Sequence, residues 1–283
     1  MKREIEFIRQ QLTPLFPERE TEQLSNLIFC HVCHLQTYQL LTCKDKELSE
    51  TERRLVRDMV SRLKKQEPIQ YIIGETEFFG LPIKVTPHVL IPRPETEELV
   101  EWILADHQQQ QHNLKMIDIG TGSGCIPIAL AKHTTNASIS GVDISAEALA
   151  VAAENAKQNQ VAVHWIQADV LDSDSALNTL PQQDIVVSNP PYVTPQEKAV
   201  MDRNVLDYEP HSALFVPEQR PLIFYECIAD RGLSLLKHHG LLYFEINALF
   251  GKETCEMLQQ KGYRQIELKQ DIAGKDRMIK AIR

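Results

Sequence analysis

Apolar positions along the chain fall into two regimes. Up to about residue 66 they recur at helical spacing: Ile5, Ile8 and Leu12 share one face, and the Thr13-Pro14 to Phe16-Pro17 stretch interrupts it. A second helix is expected from about 18 to 41. Ser49-Glu50-Thr51-Glu52 reads as a capping box opening a third, with Leu55, Met59 and Leu63 on one face. From Lys115 onward short unbroken apolar runs alternate with helical stretches. Strands are expected at 116–119, 138–142, 161–167, 184–187 and 241–246, with helices at about 125–132, 146–158, 218–237 and 251–261. Runs of that kind are buried on both faces, so the expected class is α/β with a parallel sheet. Two last strands, about 264–270 and 277–283, joined through Gly274-Lys275-Asp276, imply an antiparallel addition.

Between the regimes the character changes. Pro68-Ile69-Gln70-Tyr71-Ile72-Ile73-Gly74 and then Phe78-Phe79-Gly80-Leu81-Pro82-Ile83-Lys84-Val85 suggest a β-hairpin linking two domains. Two prolines hold Val89 to Glu97 extended before a helix over about 95–106, whose first turn carries Thr96-Glu97-Glu98. The Gln/His run at 107–112 reads as a solvated loop. The expected organisation is a helical domain over 1–74, a hairpin and extended linker over 75–92, and a larger domain over 93–283. The helical domain carries no visible chemistry; it is either a structural cap or a substrate-docking module. Residues 197–217 have little apolar periodicity and are expected to form a long substrate-facing segment.

Composition narrows the function. With 283 residues, 43% apolar and 24% charged, the chain is long enough for a sizeable core and has the make-up of a soluble globular protein. Net charge is −9, against a broad grip on nucleic acid. The charge is uneven: residues 1–74 carry 12 Lys and Arg against 11 Asp and Glu, the remainder 18 against 28. No apolar run approaches membrane-spanning length, and Met1-Lys2-Arg3-Glu4 leads into an amphipathic segment, so a cytoplasmic protein is expected, with no membrane partner. Nothing calls for an obligate interface, so a monomer is expected. Six scattered cysteines then read as reduced thiols. Cys30-His31-Val32-Cys33-His34 has the spacing of a haem attachment site, but it falls on a helical stripe with no second Cys/His pair nearby; no metal is expected.

The candidate chemistry lies at the ends of the strands. Asp118 ends a buried strand and is followed by Gly120-Thr121-Gly122-Ser123-Gly124 and an apolar helix. A dinucleotide fingerprint would need glycine at 125, where Cys stands; Asp before G-x-G-x-G instead matches the S-adenosylmethionine pattern. The glycines let the backbone approach a ligand, and the carboxylate can help hold an ammonium. Asp143, 19 residues past Gly124, is placed to accept ribose hydroxyls. Asp169 is placed for the adenine amino group, with Val170 against the ring. After the fourth strand stands Ser188-Asn189-Pro190-Pro191-Tyr192. Neither proline has an N–H, so this loop offers carbonyl acceptors, the Asn189 side-chain oxygen and an aromatic face, a set suited to an uncharged –NH2 group.

Taken with Gln70 to Gly74, Phe78-Phe79-Gly80, Leu90-Ile91-Pro92-Arg93-Pro94-Glu95-Thr96-Glu97 and Gly274-Lys275-Asp276-Arg277, the chain closely resembles the release factor glutamine methyltransferases, the PrmC/HemK family, over nearly its whole length. The resemblance implies a class I methyltransferase domain with a seven-stranded Rossmann-like sheet, a small N-terminal helical bundle and a hairpin linker. It implies methyl transfer from S-adenosylmethionine, leaving S-adenosylhomocysteine, to the N5 of glutamine in the Gly-Gly-Gln motif of class I peptide chain release factors. Asn189, Pro190 and Tyr192 are then the catalytic candidates. Residues 120–124 with Asp118, Asp143, Asp169, Val170 and Asn189 are the cofactor candidates, and Asn189 to Tyr192 face the substrate. Arg93 and Glu95 either line the mouth of the site or brace the linker. The rival readings are adenine-N6 methylation of DNA and guanine-N2 methylation of RNA, which would want a basic recognition surface, and a cofactor-binding module without catalysis, which would have no need of Asn189 and the two prolines.

Overall fold

Helical periodicity before residue 66 closes into a bundle, and the alternating strands and helices after residue 114 close around one sheet. The computed structural model describes residues 1–43, 46–108 and 113–283. Residues 109–112 of the Gln/His run lie outside them. Contacts divide the chain into two units, Met1–Gly74 with Asp202–Tyr208, and Glu75–Met201 with Glu209–Arg283.

The first unit holds α1 (Lys2–Leu12), α2 (Glu18–Cys33), α3 (Glu50–Leu63) and the short α4 (Ile69–Ile73). Its core is Ile8, Leu12, Ile28, Phe29, Val56, Val60 and Leu63 with their neighbours. Three expectations need correction. Ile5 and Leu55 are exposed: α1 buries Ile8 and Leu12, and the buried stripe of α3 is centred on Val56, Met59 and Val60. The second helix stops at Cys33, where His34 takes a left-handed conformation (φ 53) and its N–H bonds back to the last turn, and a 3-10 turn follows at Thr37–Leu41. Ile69–Ile73 is a helical turn ended by Gly74 (φ 85), not strand. The capping box at Ser49 is present, with Ser49 N–H donating to Glu52 (2.6 Å) and Glu52 N–H to Ser49 Oγ (3.2 Å).

The second unit opens with a hairpin, β1 (Glu75–Phe78) and β2 (Leu81–Lys84), whose two-residue turn puts Phe79 and Gly80 at positive φ. Then follow α5 (Pro94–His107), β3 (Leu114–Ile119), α6 (Cys125–His133), β4 (Ala137–Asp143), α7 (Ala146–Gln158), β5 (His164–Gln167), β6 (Gln183–Ser188) and α8 (Arg203–Tyr208), the last grouping with the first unit. The chain ends with α9 (Ile223–Leu235), β7 (Leu236–Glu245), α10 (Gly251–Gln260), β8 (Arg264–Gln270) and β9 (Asp276–Ile282). The seven strands run β5-β4-β3-β6-β7-β9-β8, parallel from β5 to β7 and antiparallel at β9 and β8. This is the class I methyltransferase architecture expected above.

Each face of the sheet is covered. Ile117, Val186, Leu242 and Phe244 pack with Tyr225, Ile228 and Leu258 of α9 and α10. Residues of opposite parity meet α5, where Tyr243 packs edge-on against Trp102 (5.7 Å) and donates to Asp106 (2.7 Å). Asn155 of α7 anchors the hairpin by accepting from Lys84 N–H (2.7 Å) and donating to the Lys84 carbonyl (3.0 Å). Strand order reverses between β3 and β6: β4 and β5 continue to one side, β7 to the other. A crevice therefore opens at the carboxyl ends of these two neighbours. Ser188 Oγ donates to the Ile119 carbonyl (2.5 Å), tying the end of β6 to the end of β3.

Candidate active site

A cavity of about 270 Å³ opens at that crevice. Its walls take in Gly120 to Ser123 after β3, Asp143 at the end of β4, Asp169 and Val170 after β5, and Asn189 to Pro191 after β6. Arg93 and Thr96 close it from the start of α5, and Pro210, Ser212 and Ala213 from the long β6–β7 connection. A second cavity of about 50 Å³ adjoins it, sharing Leu90, Arg93, Asn189, Pro190 and Ala213 and adding Tyr192, Val193 and Leu214.

The glycine loop is shaped by left-handed residues. Gly120 (φ 80) and Gly122 (φ 53) turn the chain without a Cβ, and an added Cβ would enter open space at either. Asp143 holds the loop: its carboxylate accepts Gly122 N–H (2.8 Å) and Ser145 N–H (3.0 Å). Burial raises its pKa while these backbone donors pull it back. Each oxygen keeps a lone pair for a ligand hydroxyl. Asp169 is folded onto its own loop through Leu171 N–H (2.8 Å).

Three of the expected residues are not on either wall. Asp118 is buried behind the loop, with both carboxylate oxygens lacking a hydrogen-bond partner among the described residues. Burial pushes its carboxyl up to about 7; the neighbouring Thr121 hydroxyl is near enough to lower it but makes no well-formed bond. Gly124 serves packing, since a Cβ there would stand 2.9 Å from Ala152 and from Trp165. Glu95 lies in the first turn of α5, away from both cavities. Arg93 is at the mouth and is also tied down: it pairs with Glu209 (2.5 Å), whose other oxygen accepts Ile91 N–H (3.2 Å). Both readings of Arg93 therefore meet in one residue.

The structure also brings in polar groups that no motif announced. Asn189 Nδ2 donates to Thr96 Oγ1 (3.2 Å), and Thr96 Oγ1 donates to Glu245 Oε2 (2.6 Å). Tyr192 donates its hydroxyl to Glu245 Oε1 (3.0 Å). Glu245 ends β7 and is 1% exposed. Burial raises its pKa, while the Thr96 and Tyr192 hydrogen bonds and the charge of Arg277 lower it. Burial, together with the charge and hydrogen bond of Glu245, holds the Tyr192 phenol far above its ordinary range, so it works as a donor and an aromatic wall. Asn247, two residues on, donates to the Tyr192 carbonyl (3.0 Å) and to Glu197 (2.9 Å), fixing the exit of the loop.

Comparison with known proteins decides the family. A family model described as "Methyltransferase small domain" matches residues 101–207, and one described as "PrmC N-terminal domain" matches residues 8–74. The release factor glutamine methyltransferase of Flavobacterium psychrophilum is 46% identical over 96% of this chain and 95% of its own. That of Bacteroides thetaiotaomicron is 44% identical over the whole of both chains. The chain belongs to the release factor glutamine methyltransferases. As fold alone, a solved methyltransferase from Pyrococcus furiosus matches with TM-score 0.52 at 15% identity, over 72% of this chain and 90% of that one. The 16S rRNA N2 G1207 methyltransferase of T. thermophilus, solved with AdoMet and guanosine, gives 0.54 at 17%, over 74% and 49%. Within this family, the sequence reading missed Thr96, Glu209 and Glu245 as site residues. Thr96 stood inside the distinctive Ile-Pro-Arg-Pro-Glu-Thr-Glu stretch, which is the signal that could have found it.

Proposed function

We propose that the chain transfers the methyl group of S-adenosylmethionine to the side-chain amide nitrogen of the glutamine in the Gly-Gly-Gln motif of class I peptide chain release factors. The observation that carries this reading is that Asn189 and Pro190 form wall common to the large cavity and the small one. The large cavity suits the nucleoside and amino-acid parts of the cofactor. Left-handed glycines leave it room, the Asp143 carboxylate has lone pairs facing a polyol, and Val170 offers an apolar surface to a base. Residues 120–123, Asp143, Asp169 and Val170 would hold it. When bound, S-adenosylmethionine supplies a methyl group on a positively charged sulfur.

The protein's share is orientation and electrostatics. An amide nitrogen is a poor nucleophile because its lone pair is delocalised into the carbonyl. Asn189 Oδ1 and the Pro190 carbonyl accept its two hydrogens and aim it, which lowers the entropic part of the barrier. Both acceptors strengthen as the nitrogen becomes positive, so they favour the transition state over the bound amide. The N-methylated amide cation is acidic enough to lose its proton to water, and no dedicated base is required. Tyr192 lines the smaller cavity, where an aromatic face would favour positive charge.

The test offers the purified chain labelled S-adenosylmethionine with a class I release factor, duplex DNA and a ribosomal RNA fragment in parallel. Mass analysis of the Gly-Gly-Gln peptide is expected to show one added methyl on the glutamine. Label in DNA adenine or RNA guanine, with the release factor unmodified, would overturn the substrate assignment.

A further inference from the structure

Asn189 can help only if its side-chain amide presents oxygen, not nitrogen, to the substrate. A planar amide flipped by half a turn would offer donors to a group that is itself a donor. The loop alone does not decide between the two orientations, because Asn oxygen and nitrogen have the same shape. The buried chain behind the loop does decide it.

A carboxylate only accepts hydrogen bonds. Glu245 meets two hydroxyls, Tyr192 at Oε1 (3.0 Å) and Thr96 at Oε2 (2.6 Å), so each must spend its one hydrogen on it. Thr96 Oγ1 then has only lone pairs left for Asn189, 3.2 Å away, and the atom of Asn189 that meets them must be Nδ2. With Nδ2 turned inward onto Thr96, Oδ1 is on the other edge of the amide, the edge left for the substrate. We propose that Thr96 and Glu245 are positioning residues: the buried carboxylate, acting through the Thr96 hydroxyl, fixes the Asn189 amide with its oxygen free for the substrate. This rests on the reading that Asn189 accepts a substrate amide hydrogen. The chain also polarises along its length, making Oδ1 a stronger acceptor as charge develops on the substrate nitrogen. The geometry makes Thr96 the joint: its hydroxyl meets both Glu245 Oε2 at the end of β7 and Asn189 Nδ2 in the loop after β6.

Three variants test this on the full chain. Thr96→Val keeps the shape and removes the hydroxyl. Thr96→Ser keeps the hydroxyl and removes a methyl. Glu245→Gln keeps the volume, but its –NH2 must donate to one of two hydroxyls that themselves need an acceptor; facing Thr96, it reverses the chain and flips Asn189. Turnover on the release factor and binding of S-adenosylhomocysteine by calorimetry are measured for each. The expected result is a kcat loss of about tenfold or more in Thr96→Val and Glu245→Gln. Thr96→Ser is expected to restore most of that rate, with S-adenosylhomocysteine affinity within about twofold throughout and KM changed less than kcat. The assignment is overturned if Thr96→Val turns over like the wild type, if Thr96→Ser falls as far as Thr96→Val, or if the losses follow cofactor-product affinity. A wild-type chain that does not methylate the release factor overturns the functional reading and the assignment together; an active wild type with an unimpaired Thr96→Val overturns the assignment alone.

Discussion

Asn189 and Asp118 each make a demand that a single substitution can read. Removing the Asn189 acceptor leaves the Pro190 carbonyl to hold the substrate amide by one hydrogen. Asn189→Ala is therefore expected to lower kcat about 10²–10³-fold, the usual worth of one transition-state hydrogen bond. S-adenosylhomocysteine should still bind, and a variant that loses both together would return Asn189 to a cofactor role only. Asp118 carries a pH signature. A carboxyl that titrates near 7 folded and near 3.8 unfolded holds its proton more tightly in the folded state. Its folded form is then most favoured below the ordinary carboxylate range, and stability falls as pH rises from about 4 towards about 7, by an amount on the order of a few kcal/mol at full burial. The melting temperature of the wild type should drop across that window and that of Asp118→Asn should drop less; parallel curves would remove Asp118 as the cause. The residues named from sequence were those in contiguous motifs, such as 120–124 and 189–192. Thr96 stood in a distinctive stretch, but its role and that of Glu245 were illegible because their chemistry exists only across 93 and 149 residues of separation. A buried threonine hydroxyl leaves no local pattern.

At the scale of elements, the central strands β3 and β6 were legible because doubly buried strands have nowhere to put polar residues. The helical bundle was harder. Any face of α3 with Leu55 on it looks apolar, and only packing selects Val56 and Val60 instead. The end of α2 depends on His34 adopting φ 53, a conformation few residues without glycine's freedom announce. Three glycines in one loop read as one feature, yet they do different things. Gly120 and Gly122 shape the cavity, whereas Gly124 lets α6 approach α7 and the Trp165 ring. Gly124→Ala would place a side chain at φ 79 and 2.9 Å from Ala152 Cβ. The combined cost of left-handed strain and overpacking is about 2–4 kcal/mol. Chemical denaturation should read that loss in Gly124→Ala. In Gly120→Ala, where the added methyl meets only open space, the loss should be smaller and cofactor-product affinity should suffer instead. Equal stability losses in both would dissolve the distinction.

Across the whole molecule, the site is a product of strand order. Residues from 93 to 245 converge because β3 and β6 lie side by side while the chain between them travels away through β4 and β5. The α/β class was legible from apolar runs alternating with helical stretches, and its antiparallel end from the two consecutive strands after residue 264. The sum of charges adds a constraint that no single residue carries. The Asn-Pro-Pro-Tyr loop suits any planar –NH2 group, adenine included, so the loop by itself does not choose a protein substrate. A DNA-modifying enzyme must first overcome the phosphate backbone, and it does so with clustered Lys and Arg that release counterions. Here the net charge is −9, and the part of the chain after residue 74 has 28 acidic residues against 18 basic. Long-range repulsion should therefore weaken any encounter with duplex DNA. Fluorescence anisotropy with a labelled duplex at physiological salt is expected to show no saturable binding at concentrations up to about 10⁻⁵ M, which lies within the ordinary non-specific range for DNA-binding proteins. Saturable binding that weakens steeply with added salt would mean that a basic surface outweighs the net charge, and it would restore the adenine reading of the same loop. Absence of binding leaves the acceptor pair at Asn189 and Pro190 to a substrate without a phosphate backbone, as a glutamine side chain on a protein loop is.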